Sequence, residues 1–125
     1  MDLLEEIYTM TKRFPRTELY GLTSQIQRAS TSVVSHIAEG QGRLTVGEWR
    51  QMLSQARGSL YEVEAQLLVA KRLQYIDEAV FNQVRTRASR VGVALAGLIR
   101  YVQRREQEQK ARRPPVNPTT RPPGP

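Results

Sequence analysis

Apolar residues in this chain recur at spacings of three and four, the period of helices that turn one side toward a shared core. Leu3, Ile7, Met10 and Phe14 predict a first helix that Pro15 ends. Leu22, Ile26, Ala29, Val33 and Ile37 mark a second, which Thr17 or Thr23 can cap and which Gly40 and Gly42 close through a left-handed exit. Thr45 and Glu48 form the S/T-x-x-E capping box of a third helix, with Leu44 and Trp49 at the two positions of a hydrophobic staple. From Trp49 the series Leu53, Ala56, Leu60, Val63, Leu67 and Ala70 alternates four and three without a break, as in a bundle or coiled-coil seam. Asp77 can cap a fourth helix, with Ile76 and Phe81 as its staple and Val80, Val84, Val91, Leu95, Leu98 and Val102 as its inner stripe. No segment alternates convincingly in a β pattern, and the turn between the last two helices is very short. The pattern predicts an all-α, antiparallel up-down four-helix bundle over residues 1–110.

Two stretches exceed what such a bundle needs. The segment VGVALAGLI, Val91 to Ile99, is apolar around its whole circumference, so one core cannot cover all of it. Gly92 and Ala96, four apart, would admit a neighbouring backbone, so Val91, Gly92, Ala96 and Ile99 are the expected surface of a homo-oligomer, with tight packing inside one bundle as the alternative. From residue 111 to 125 the chain carries too many prolines for helix or sheet and too few apolar residues to fold, which predicts a disordered basic tail. Such a tail can lie along a phosphate backbone or simply keep the protein in solution.

Composition narrows the chemistry. A length of 125 residues fits one domain, and the absence of cysteine excludes disulfides, thiolate zinc sites and cysteine nucleophiles. The acidic start MDLLEEIY is unlike a secretory signal, and the longest apolar run is about half of the roughly 20 residues a membrane span requires, so a soluble, cytoplasmic protein is expected. The single histidine, His36, precedes Glu39 in an H-x-x-E order that reverses the E-x-x-H of di-iron bundles, and one such pair makes no metal site. Glu62 and Glu64 point in different directions on a helix, and Gly40-Gln41-Gly42 lacks the lysine and the preceding strand of a phosphate loop. No enzyme activity, cofactor, metal or small-molecule substrate is expected.

The basic residues remain as the functional set. The formal charge is +7, and residues 1–110 hold +4 of it. Such a surplus favours polyanions. Arg85, Arg100, Arg104, Arg105 and Lys110 fall on or near the outside of the fourth helix, and Arg112 and Arg113 follow in the tail. Tyr101 is the one aromatic residue among them, so stacking on single-stranded bases is not indicated, and phosphate contact with RNA by shape and charge is the expected mode.

Across residues 3 to 76 the motifs Phe14-Pro15, Glu18, Tyr20-Gly21-Leu22, Gln25-Ile26, Arg28-Ala29, Ile37-Ala38-Glu39-Gly40, Gly42-Arg43 and Ala56-Arg57-Gly58-Ser59-Leu60 appear together. In that combination the chain resembles the 23S rRNA intervening-sequence proteins, a four-helix-bundle family related to the accessory proteins of diversity-generating retroelements. His36 departs from the asparagine expected at that position. The resemblance implies a homopentameric ring, a link to ribosomes or rRNA, or alternatively recruitment of a reverse transcriptase and its RNA. An assembly without a nucleic-acid partner is the third reading. For the shared residues Tyr20, Gln25, Arg28, Glu39, Arg43 and Arg57, the resemblance implies structural polar contacts between helices rather than ligand contacts.

Overall fold

A computed structural model describes residues 2–112, the side chain of Asp2 aside. It contains four α-helices, α1 (Asp2–Thr11), α2 (Leu22–Gln41), α3 (Val46–Arg72) and α4 (Glu78–Arg112), and no strand among the described residues. A 3-10 turn, Arg16–Glu18, lies between α1 and α2.

The seam of α3 organises the rest. Leu53, Ala56, Leu60, Val63, Leu67 and Ala70 are all fully buried, and α2 and α4 pack on either side of them. Burying one leucine-sized side chain is worth about 1.5–3 kcal/mol, so this single stripe supplies a large part of the driving force. The short α3–α4 connection makes the two helices antiparallel: Lys71 pairs with Glu78 near the turn, and Arg50 pairs with Glu106 at 3.1 Å at the far end. α1 rests against α2 and α4 at the turn end only, where Glu6 pairs with Arg87 and accepts a hydrogen bond from Gln83. Gln27 of α2 donates to the Thr11 hydroxyl. With 10 residues against the 35 of α4, α1 leaves the other end of the bundle to three helices, where Ile37, Trp49 and Leu98 are only partly buried.

Several local expectations are corrected. Neither Thr17 nor Thr23 caps α2. Gly21 is the N-cap residue without a side-chain bond, Thr17 lies in the 3-10 turn, and Thr23 is buried one residue inside the helix. Gly42 ends α2 with φ −91°, so no left-handed exit exists there. Gly40 matters for room instead: a Cβ built on it would lie 2.9 Å from Trp49 Cδ1 and 3.3 Å from Met52 Cβ, so the glycine sets how closely α2 approaches α3. The left-handed residue is Gln74, φ 63°, at the end of α3. There Tyr75 N–H donates to Ala70 O and Gln74 N–H to Lys71 O, a Schellman motif carried by a non-glycine residue.

At the start of α3 the Thr45 side chain accepts from Glu48 N–H as expected, but Leu44 is 99% exposed and staples nothing. Trp49 instead packs edge-on to Tyr101 of α4. Asp77 caps α4 through Val80 N–H, and Ile76 and Phe81 are both buried. The helix runs through Ala111 and Arg112, past the expected start of the tail; residues 113–125, Arg113 among them, lie outside the described residues.

The two connections at the turn end are tied by Tyr75, whose ring meets Phe14 at 5.6 Å and whose hydroxyl donates to Glu18 at 2.9 Å. The hydrogen bond to Glu18, followed by burial and the carboxylate's charge, raises the Tyr75 pKa.

Two stability outcomes follow from these contacts. Gly40→Ala should cost about 1–3 kcal/mol in denaturant unfolding, the usual price of overpacking a helix–helix contact. The raised Tyr75 pKa means that its bond contributes fully below the ordinary tyrosine value of about 10 and is lost as pH climbs through the folded value. Alkaline unfolding should therefore be steeper in the wild type than in Tyr75→Phe; equal slopes would show that the bond does not form in solution.

Candidate nucleic-acid interface

Charge on this molecule is segregated along the chain. Residues 2–84 hold nine Lys and Arg against ten acids, a net −1, while residues 85–112 hold eight against two, a net +6. All eight basic side chains of that second set belong to α4, a rod of about 52 Å at 1.5 Å per residue.

The helical repeat divides them by face. Leu95, Ile99 and Val102 point into the core, so Arg90, Val93, Gly97, Arg100 and Arg104 fall on the opposite side. Arg90, Arg100 and Arg104 are exposed and have no ion-pair partner among the described residues. Their guanidinium groups are open to an external anion.

The remaining expected contacts are placed differently. Arg85 lies over the Phe81 ring at 5.9 Å, a ring that Lys71 of α3 also approaches at 4.6 Å. Arg105 donates to the Tyr101 hydroxyl at 3.2 Å, and that bond raises its already high pKa. Lys110 borders a depression of about 320 Å³ with Leu44, Thr45 and Glu106. Arg104, Arg105, Arg112, Tyr101 and Glu108 surround another of about 440 Å³. The structure thus joins Arg104, Arg105 and Arg112 at one end of α4 and leaves Arg85 apart, while Arg90 completes the outer row that the sequence reading missed. Its signal was available, since Arg90 sits half a helical turn away from the Leu95 stripe.

The expected oligomer surface is largely taken by the chain itself. Ile99 is only 3% exposed and Val91 packs on the core. A Cβ on Gly92 would lie 3.4 Å from Leu60 Cδ2 of the same chain, so this position faces α3. Ala96 is half-buried. What stays open in that segment is Val93, at 73% exposure, with Ala94 beside it.

Among the residues of the shared motif, Tyr20 is almost wholly exposed and Gln25 and Arg28 face outward. Glu39 and Arg43 form an exposed i,i+4 pair at 3.4 Å, with Arg43 also reaching Met52 Sδ at 3.9 Å, rather than a buried inter-helix bridge. Arg57 is half-buried without an ion-pair partner among the described residues. His36 Nδ1 and Trp49 Nε1 are buried without a hydrogen-bond partner. No group of three His, Cys, Asp or Glu side chains gathers among the described residues, and no described helix is long and apolar enough to cross a membrane.

A second face emerges on α3. Ser54, Gly58, Tyr61, Ala65 and Leu68 follow at spacings of four, three, four and three on the side away from the core. Tyr61 is 59% exposed, Leu68 and Val69 are exposed with it, and a Cβ on Gly58 would meet nothing within 4 Å. This repeat was readable in the sequence but was masked by the stronger seam running in parallel with it.

The profile of the family described as 23S rRNA-intervening sequence protein matches residues 1–97. The crystal structure of a protein of unknown function from the S23 ribosomal protein family of Bacteroides thetaiotaomicron is similar, with a TM-score of 0.73 at 19% identity over 78% of this chain and 92% of that one. At that identity the likeness speaks for the fold alone. No curated protein matches.

Proposed function

The chain belongs to the 23S rRNA-intervening sequence protein family, and on that premise we propose that it is a non-enzymatic, homo-oligomeric bundle that binds RNA through phosphate contacts along α4. The observation that carries the reading is the segregation of charge, with Arg90, Arg100 and Arg104 on the open side of one helix and without an ion-pair partner among the described residues. Guanidinium groups of this kind neutralise phosphates bidentately without first breaking an ion pair, and each neutralised phosphate releases condensed counterions. A single copy offers few contacts. Copies arranged by symmetry repeat the patch, and binding at one raises the effective concentration at the next.

Self-association finds its best support in the outer face of α3. Glycine inside an exposed helix costs about 0.5–1 kcal/mol relative to alanine, and Gly58 returns nothing within its own chain for that cost. A second copy approaching closely at Gly58, with Tyr61 and Leu68 packed around the contact, accounts for both the glycine and the exposed apolar side chains. Assembly on α3 leaves the α4 arginines outside. A ring of five, as the family resemblance implies, is the expected closed form.

Two measurements test this reading. Labelled RNA titrated at several salt concentrations should bind with a steep salt dependence, and the combined Arg90→Gln, Arg100→Gln, Arg104→Gln variant should weaken binding for all sequences and flatten the log–log slope by about one per arginine. Absence of binding at low salt removes the RNA reading. Gly58→Ala should stabilise an isolated protomer by about 0.5–1 kcal/mol yet shift native mass toward smaller species. Unchanged assembly would leave this face to a different protein, such as the reverse transcriptase of the retroelement relatives.

A further inference from the structure

The end of α4 carries a group that charge alone does not explain. Tyr101 is 41% exposed, yet its ring is fixed: Trp49 packs edge-on to it at 6.4 Å between centroids and 76° between planes, and Arg105 donates to its hydroxyl with the guanidinium 5.9 Å from the ring centre. An exposed aromatic ring restrained by two neighbours presents its surface at little further entropic cost. Around it stand Arg104, Arg105 and Arg112, with Glu108 as the only acid, so the depression they share holds a net positive charge of two. Arg104 and Arg112 are separated by about 12 Å along the helix, with the ring on the same side.

We infer that Tyr101, Arg104, Arg105 and Arg112 form a seat for an unpaired nucleotide, its base stacked on the Tyr101 ring and its flanking phosphates held by the guanidinium groups. The inference rests on the RNA-binding reading and narrows it to single strands. In a duplex every base is stacked on its neighbours and the phosphate surface is all that a protein of this kind can touch. In a single strand the base can leave its neighbours and lie against an aromatic side chain, and arginine beside the ring serves both stacking and phosphate capture. Tyr101 is the one residue here whose contribution distinguishes the two ligands, because the arginines attract both. The expectation from sequence that stacking plays no part was formed from the scarcity of aromatic residues in the basic region. One ring held in place at the centre of three arginines is a different object from one ring somewhere among them.

The test uses the full-length protein and two labelled probes of equal length, an oligouridine strand and a fully paired RNA duplex, followed by fluorescence anisotropy at low salt. Tyr101→Leu should weaken the single strand by about five-fold or more, the range of one base–aromatic stack, and leave the duplex affinity unchanged, while Tyr101→Phe keeps single-strand binding. Trp49 is the protein's only tryptophan and touches Tyr101, so its emission should change on addition of the single strand and not of the duplex. That readout needs no substitution and is therefore independent of any loss of packing in Tyr101→Leu. Equal weakening of both probes in Tyr101→Leu, or an unchanged Trp49 emission with bound single strand, overturns the seat while the salt-dependent phosphate reading stands. Failure of the wild type to bind either probe overturns both.

Discussion

The continuous burial of one heptad stripe on α3 is the constraint on which every other feature depends. Leu53, Ala56, Leu60, Val63, Leu67 and Ala70 offer no surface to water, and they can be covered on both flanks only if α2 and α4 lie along α3 for most of its length. This fixes the rotation of α4 about its own axis. Once Leu95, Ile99 and Val102 are turned inward, Arg90, Arg100 and Arg104 have no choice but to face outward. The open basic surface is thus a consequence of hydrophobic phase, since three- and four-residue spacing on one side dictates what the other side displays. The same logic makes Gly40 matter, because the distance between α2 and α3 is set where its missing side chain lets Trp49 and Met52 come close.

Much of this was legible in the chain because it is written in periodic apolar residues. The seam of α3, the Asp77 cap and the inner stripe of α4 are local patterns with one dominant physical reading, and the structure follows them. The misreadings share a cause. Gly42 and Leu44 have residue types that fit a left-handed exit and a staple, but whether those forms arise depends on where the neighbouring helix lies, and Trp49 is drawn instead to Tyr101 across the bundle. Gln74 shows the converse, a left-handed position occupied by a residue that sequence reasoning does not flag, held there by two Schellman hydrogen bonds. Gly92, expected at a contact between copies with packing inside one bundle as the alternative, faces Leu60 of its own α3. Spacing alone cannot say whether a small residue makes room for its own chain or for another. The distance to Leu60 can, and by the same measure Gly58 points outward.

The length mismatch between helices explains why the distinctive chemistry gathers at one end. α1 ends after 10 residues, so the α2–α4 flank is closed near the α3–α4 turn and open at the opposite end. There Trp49 and Leu98 are only partly buried, and Tyr101 is exposed. An aromatic pair is well suited to such a margin, since its rings bury much of their area while an edge remains in contact with water. That incomplete cover brings an aromatic ring to the surface beside arginines.

Division of labour along α4 follows from the same geometry. Its middle, around Val93 and Gly97, is apolar or small, whereas its last turns run alongside the start of α3, where Arg50 meets Glu106, and carry Arg104, Arg105, Lys110 and Arg112. These four side chains are exposed, and burying them against another copy is costly, because four like charges would lose water without acids to meet them. Glu106 is already engaged by Arg50, which leaves Glu108 alone to offset the group. The apolar faces can therefore serve assembly without competing for these arginines. Under the proposed RNA-binding reading a polyanion relieves their mutual repulsion, and a symmetric assembly of copies would gain more from that relief.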